Sequence, residues 1–289
     1  MTKKDNCTHD CSTCSSTTCS DKNTAVLEKE EPKSLLEKTH ELSNVKRVFG
    51  VLSGKGGVGK SLVSGLLASL LAKRGYKTAI LDADVTGPSI PKMFGIKGYV
   101  TGDDTGIYPR ISEGGVSIIS SNFLIENEDD PIVWRGPLIA GMVKQFWTKV
   151  VWNNIDYMFI DMPPGTGDVS LTVFQSIPLD GIIVVTSPQD LVNMIVKKAI
   201  KMAEMMDIPL IGVVENMSYI KCPNCDKDIR LFNPEKENKM PILDKIPLDH
   251  NIANSCDKGE IEKVEVPYLD NTIYKIMFKW PTPNSSDNK

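Results

Sequence analysis

Hydrophobic and polar positions along this chain settle into two repeating patterns after about residue 45, and into neither before it. "VKRVFGVLS" is a short, nearly continuous apolar run that leads into a glycine-rich stretch, the mark of a strand buried on both faces. In "KSLVSGLLASLLAKRG", Leu62, Val63, Leu66, Leu67, Leu70 and Leu71 share one broad helical face, and Gly75 supplies a stop. Strands follow at "KTAILDAD" and "GVSIISSNF", then a helix at "PLIAGMVKQFWTKVVW" with proline in its first turn. "YMFIDMP" and "GIIVVTS" read as strands, a helix runs from about Asp190 to Met206, and "PLIGVVENM" is a further strand. "YLDNTIYKIMFKW" reads as a last helix. Apolar strands alternating with helices predict an α/β fold built on a doubly wound, mainly parallel sheet, with ligands at the carboxyl ends of the strands.

Before residue 45 the chain is rich in Ser, Thr, Lys and Glu and poor in apolar residues. Residues 1–44 are therefore expected to be a flexible tail, with room for a short helix around Pro32–Leu42, residues 45–280 one domain, and residues 281–289 a frayed end. A length of 289 residues buries a substantial core, and 41% hydrophobic with 24% charged residues is ordinary for a globular chain. The formal net charge of −4 argues against a nucleic-acid coat. No apolar run approaches the roughly 20 residues that span a bilayer, and neither a secretory signal nor an Arg-rich transit peptide opens the sequence. The expected setting is the cytoplasm, with no membrane partner. There the seven cysteines are thiols or metal ligands rather than disulfides.

Gly54-x-x-x-x-Gly59-Lys60-Ser61, within "SGKGGVGKS", matches the phosphate-loop pattern and lies between a strand and an amphipathic helix. Backbone N–H groups of Gly54, Lys55, Gly56, Gly57, Val58 and Gly59 can turn toward phosphate oxygens, helped by the positive end of the following helix. Lys60 would reach the β- and γ-phosphates of ATP, and Ser61 Oγ would ligate Mg²⁺. Two strand ends add carboxylates, Asp82 and Asp84 in "LDADVTGPS" and Asp161 in "FIDMPPGTGD". Asp161 suits the metal, through a bound water, and Asp84 suits the attacking water; Asp82 could assist either, or these carboxylates could cap turns. Lys55 is a second lysine that a single loop does not need.

"GKGGVGKS" resembles the deviant phosphate loop of the MinD/ParA/nitrogenase-iron-protein class, the SIMIBI branch of P-loop NTPases. That resemblance implies that Lys55 reaches across a homodimer interface to phosphates held by the other subunit, making it catalytic alongside Lys60 and Asp84. With "LDADVTGPSIPKMFG", "WRGP", "FIDMPPGTGD", "VVENMSY", "CPNC" and "IPLDHNI" in this order, the chain from about Val45 to Pro267 resembles the Mrp/ApbC iron–sulfur carrier family. The family likeness implies that Asn216 contacts adenine, that the loop Pro247–Asp249 closes over it, and that the segments bearing Asp84 and Asp161–Asp168 are switches.

Cys222 and Cys225 form a C-P-x-C turn whose thiolates can grip a soft metal, yet a [4Fe–4S] cluster or tetrahedral zinc takes four ligands. A second copy would supply the other two, so one association could complete both the phosphate and the thiolate sites. A zinc knuckle remains the alternative, with Cys11 and Cys14 as its second half. Cys7, Cys11, Cys14 and Cys19 place four thiols within thirteen residues, with His9 as a substitute, enough for a second cluster or a zinc. Cys256 reads as an inert buried thiol in a helix starting near Asp249. The resulting expectation is an ATP-binding, weakly hydrolysing homodimer that carries a [4Fe–4S] cluster to apoproteins. A MinD/ParA-like positioning ATPase with a structural zinc site is the competing reading; it predicts a membrane helix or a basic surface and leaves "CPNC" idle.

Overall fold

Apolar periodicity places most of the elements, and they are arranged around one extended sheet. The computed structural model describes residues 35–85, 87, 89–124, 136–188, 194–230, 241–265 and 267–282. Its helices and strands all belong to the unit Leu36–Lys289. The first half contains β1 (Asn44–Ser53), α1 (Lys60–Lys73), β2 (Thr78–Asp82), a short α2 (Ile90–Met93), β3 (Thr101–Asp103), β4 (Gly106–Tyr108), β5 (Arg110–Ile111) and β6 (Ser117–Ile119). Next come α3 (Gly136–Thr148), β7 (Asn154–Asp161), α4 (Asp168–Ser176), β8 (Gly181–Thr186), α5 (Met194–Met205) and β9 (Leu210–Glu215). The last part holds β10 (Ile220–Lys221), β11 (Asp228–Ile229), β12 (Ile242–Lys245), α6 (His250–Asp257) and α7 (Asp270–Lys279).

Eight strands form the sheet in the order β12-β9-β8-β1-β7-β2-β6-β5. All neighbours are parallel except β5 against β6. From β1 the chain first builds outward through β2 and β6, then returns to β7 beside β1 and crosses to β8 on its other side. The strand order therefore reverses next to β1, and the carboxyl end of β1 lies at the switch point where such sheets open a crevice.

Both faces are covered, as the apolar strands require. Phe49 and Val51 of β1 pack with Val63, Leu66 and Leu67 of α1 and with Ile252, Ile273 and Ile276 of α6 and α7. Val48 and Leu52, one residue out of phase, pack with Val143 and Phe146 of α3, Val173 of α4 and Ala199 of α5. Helix α1 ends where expected: Gly75 has φ +87°, its N–H donates to the Ala72 carbonyl at 2.9 Å, and Tyr76 N–H donates to the Leu71 carbonyl at 3.2 Å.

Three readings change. Residues 35–42 carry no helix; Glu37 N–H instead donates to the Ser176 carbonyl at the end of α4 (2.8 Å), and Trp147 Nε1 donates to the Glu37 carbonyl (3.0 Å). Main-chain groups pinned to α3 and α4 are not free to form a helical turn. Helix α3 stops at Thr148 rather than Trp152, because Val151 N–H donates to Ile107 of β4 (2.8 Å) and Val150 bridges the same residue. The third is a set of additions: the helices α2 and α4, the edge strands β5 and β12, and the small pairs β3–β4 and β10–β11. Among the described residues, no helix is long and apolar enough to cross a membrane.

Candidate functional site

The glycine-rich loop joins β1 to α1 at the carboxyl end of the central strand. Lys55, Gly56 and Gly57 are exposed, and Gly57 and Gly59 take the left-handed conformation (φ +79° and +85°) that glycine adopts without strain. Gly59 precedes α1, and its carbonyl accepts Val63 N–H at 3.0 Å, so the first free N–H groups of the helix open into the loop. Ser53 Oγ donates to the Lys55 carbonyl (3.0 Å), and Gly165 N–H, from the loop after β7, donates to the Ser53 carbonyl (2.8 Å).

Lys60, Ser61, Asp84 and Asp161 converge. Lys60 is 6% exposed, and its Nζ lies 2.8 Å from Asp161 Oδ2 and 3.4 Å from Asp84 Oδ2. Ser61 Oγ donates to Asp161 Oδ2 at 2.5 Å. Sequence reasoning missed Ser64, which is fully buried and donates to Asp161 Oδ1 at 2.8 Å, fixing both oxygens of that carboxylate. A serine three residues after Ser61, on an otherwise apolar stretch of helix, was the available signal. Burial opposes the Lys60 charge, but Asp161 and Asp84 outweigh it and raise its pKa.

Asp82 has a different task from its neighbours. It is buried at the end of β2, accepting from Ser120 Oγ (2.9 Å) and from Asp84 N–H (3.2 Å). Burial first, and the nearby Asp161 charge second, push its pKa well above the carboxylate range, against the pull of Lys60. Three carboxylates thus crowd around one lysine, and two of them, Asp82 and Asp161, are buried. Ser120, on the far side of the Ser117–Ile119 strand end, was invisible to motif reading.

A hydroxyl and a carboxylate side by side are hard oxygen donors, so Ser61 and Asp161 fit Mg²⁺. Lys55 is exposed on the rim, and among the described residues it takes part in no ion pair. Asn216 lies under the loop: it is 2% exposed, and Nδ2 donates to the Val58 carbonyl at 2.9 Å. It is thereby a brace of the loop, whatever it contacts beyond it.

Cys222 and Cys225 project from a separate, exposed hairpin made by β10 and β11. Cys222 N–H donates to the Lys227 carbonyl (2.9 Å), Asp226 N–H donates to the Cys222 carbonyl (3.0 Å), and Asp226 turns through φ +54°. Hydrogen bonding from the Asn224 N–H, then from the Cys225 thiol and its N–H, draws the Cys222 pKa below the ordinary thiol value. Among the described residues no group of three or more His, Cys, Asp or Glu side chains could hold a metal. Cys256 lies in α6, with burial pushing its thiol up to about 11 and Asp257 adding to the effect. Cys7, Cys11, Cys14 and Cys19 fall outside the described residues, as does His9.

Known proteins resemble this chain along most of its length. The iron–sulfur cluster carrier protein of Clostridium perfringens is 42% identical over 250 residues, covering 82% of this chain and 87% of that protein. That of Saccharolobus solfataricus is 44% identical over 227 residues, covering 76% and 77%. A solved nucleotide-binding protein of Archaeoglobus fulgidus, in complex with ADP, superposes with a TM-score of 0.68 at 41% identity, over 78% of this chain and 94% of that one. MinD from the Aquifex aeolicus MinC:MinD complex shares the fold at 18% identity (TM-score 0.56, 82% and 96% covered). The family profile described as ParA, NUBPL iron-transfer P-loop NTPase, matches residues 44–279, and with these relatives it shows that the chain belongs to that family of P-loop NTPases.

Proposed function

We propose that this protein is an ATP-binding, weakly hydrolysing carrier that holds a [4Fe–4S] cluster as cargo between two copies of itself and delivers it to apoproteins. The observation that carries this reading is the Cys222/Cys225 hairpin, which presents a half-buried and an exposed thiol with N–H groups directed at Cys222 and offers no third ligand nearby among the described residues. A four-ligand cluster then needs the same pair from a second copy. The exposed hairpin favours release of cargo, because no wall of protein has to open around it. The carrier names of the relatives point the same way.

At the phosphate loop, Lys60 would neutralise the β- and γ-phosphates, Asp84 would orient the attacking water, and Lys55 would add positive charge to the partner's site once two copies meet. Ser61 and Asp161 are the residues that would hold Mg²⁺, which would supply charge neutralisation at the phosphate oxygens. Ser64 keeps the Asp161 carboxylate aimed at that position. Nucleotide acts as a switch for association, so rapid turnover has no use. Cys7, Cys11, Cys14 and Cys19 are proposed as a second, accessory metal site, and a reducing cytoplasm as the setting that keeps all these thiols free.

The test is anaerobic reconstitution with ferrous iron and sulfide, counting iron and acid-labile sulfide per dimer in the full chain, in one lacking residues 1–20, and in Cys222→Ala/Cys225→Ala. Loss of the bridging cluster with ADP binding intact is expected in the double variant. A double variant that still matures a client apoprotein would refute the carrier reading.

A further inference from the structure

The proposed function needs the nucleotide loop and the cysteine hairpin to communicate, and Asn216 stands between them. Its Nδ2 donates to the Val58 carbonyl inside the loop, while its backbone N–H donates to the Thr186 carbonyl at the end of β8 (2.8 Å). The approach to the loop is close enough that a Cβ on Gly59 would lie 2.1 Å from Nδ2. Six positions later comes Cys222.

The intervening segment is fastened along its length. Met217 holds φ +55°, a left-handed conformation unusual for a side chain of this kind. Ser218 N–H donates to the Ile246 carbonyl (2.9 Å), and Ser218 Oγ donates to Glu215 Oε1. The Tyr219 carbonyl accepts Leu248 N–H (2.8 Å), tying the root of the hairpin to the loop that precedes α6. From Ile220 the chain is paired with β11, where Lys221 Nζ lies 3.7 Å from Asp228 Oδ1. A displacement of the Val58 carbonyl therefore meets a taut connection rather than a slack one.

We propose that Asn216 is a positioning residue that couples the curvature of the phosphate loop to the aim of the Cys222/Cys225 hairpin, with Met217 as the joint. The inference rests on reading the loop as an ATP site and the hairpin as the cargo site. A residue that only props the loop would affect nucleotide affinity alone; a coupling residue also governs the hairpin once the loop is filled.

The experiment is hydrogen–deuterium exchange of the full chain, reading the hydrogen-bonded amides of Cys222 and Asp226, without nucleotide and with a saturating non-hydrolysable ATP analogue. Filling the loop should slow these amides by about fivefold or more in the unmodified protein. In Asn216→Ala, with occupancy verified by equilibrium dialysis, the slowing should vanish. Met217→Gly keeps the amide brace but loosens the joint, so it should reduce the slowing even if Asn216→Ala fails to fold or to bind. No nucleotide effect in the unmodified protein, or a full effect in the variants, overturns the coupling. Iron loading at Cys222 and Cys225 is measured separately: its loss would sink the carrier reading, whereas a flat exchange profile with iron loading intact would sink only this inference.

Discussion

Placing a methyl group on Gly59 should damage this protein twice over, and the two losses can be separated. Gly59 has φ +85°, so an alanine there carries the left-handed strain of a side-chain-bearing residue, about 1–2 kcal/mol. Its Cβ would also lie 2.1 Å from Asn216 Nδ2 and 3.3 Å from Asn216 Cγ, distances at which Asn216 must withdraw. Withdrawal breaks the bond to the Val58 carbonyl and strands a buried amide, a loss of about 1–3 kcal/mol. Gly59→Ala should therefore destabilise by about 2–5 kcal/mol. Gly57 is the internal control: its φ is +79°, but nothing lies within 4 Å of an added Cβ, so Gly57→Ala should cost only the strain. Urea unfolding of both variants gives the comparison, and the Gly59 variant should melt roughly 5–20 °C below the parent. Adding Asn216→Ala to Gly59→Ala removes the clashing partner, so the double variant should be less destabilised than the sum of the singles. Equal losses at positions 57 and 59, or strict additivity in the cycle, would refute the account of the brace.

Two further outcomes follow from the buried carboxylates. Because the folded pKa of Asp82 lies above its ordinary value of 3.8, the folded state keeps a proton that the unfolded chain has released, so stability falls as pH rises from about 4 toward the folded pKa, by up to ~1.4 kcal/mol per pH unit. Asp82→Asn should flatten that fall in urea titrations from pH 5 to 8 without nucleotide or divalent cations; parallel profiles would exclude Asp82 as the source. Asp244, on β12, accepts from the N–H of Asn271 (3.3 Å) and of Thr272 (2.7 Å), from Asn271 Nδ2 (2.9 Å) and from Thr272 Oγ1 (2.6 Å), so it caps α7 from outside the helix. Asp244→Ala should cost about 2–4 kcal/mol in urea unfolding and speed amide exchange in α7 first, and unchanged exchange there would count against the cap.

The central architecture was legible because it depends on long, simple patterns. Six of the apolar runs became adjacent parallel strands, and the leucine face of α1 met the sheet where its spacing required. The loop motif with its flanking strand and helix located the glycine-rich turn at the end of β1, and Asp84 and Asp161 arrived beside it because one follows and the other ends a neighbouring parallel strand. What stayed hidden was set by tertiary partners. Residues 35–42 gave no sign that α3 and α4 would hold Glu37 by its main chain. Ser64 and Ser120 matter only through carboxylates that are distant in sequence. The left-handed turn at Met217 and the downward grip of Asn216 have no local signature, since asparagine after a strand serves many ends. β12 is four residues long and reads as an ordinary loop until β9 lies beside it.

The two borders of the sheet also bear on how copies of this protein can meet. One border, β12, is overlaid by the turn Pro267–Leu269 and the helix that Asp244 clasps, with Leu269 fully sequestered. The other, β5, spans just Arg110 and Ile111 and runs against its neighbour, too brief to template a further ribbon. Continuation of the sheet into a neighbouring copy is thus disfavoured on both flanks, so the pairing proposed above would join other surfaces than the sheet borders.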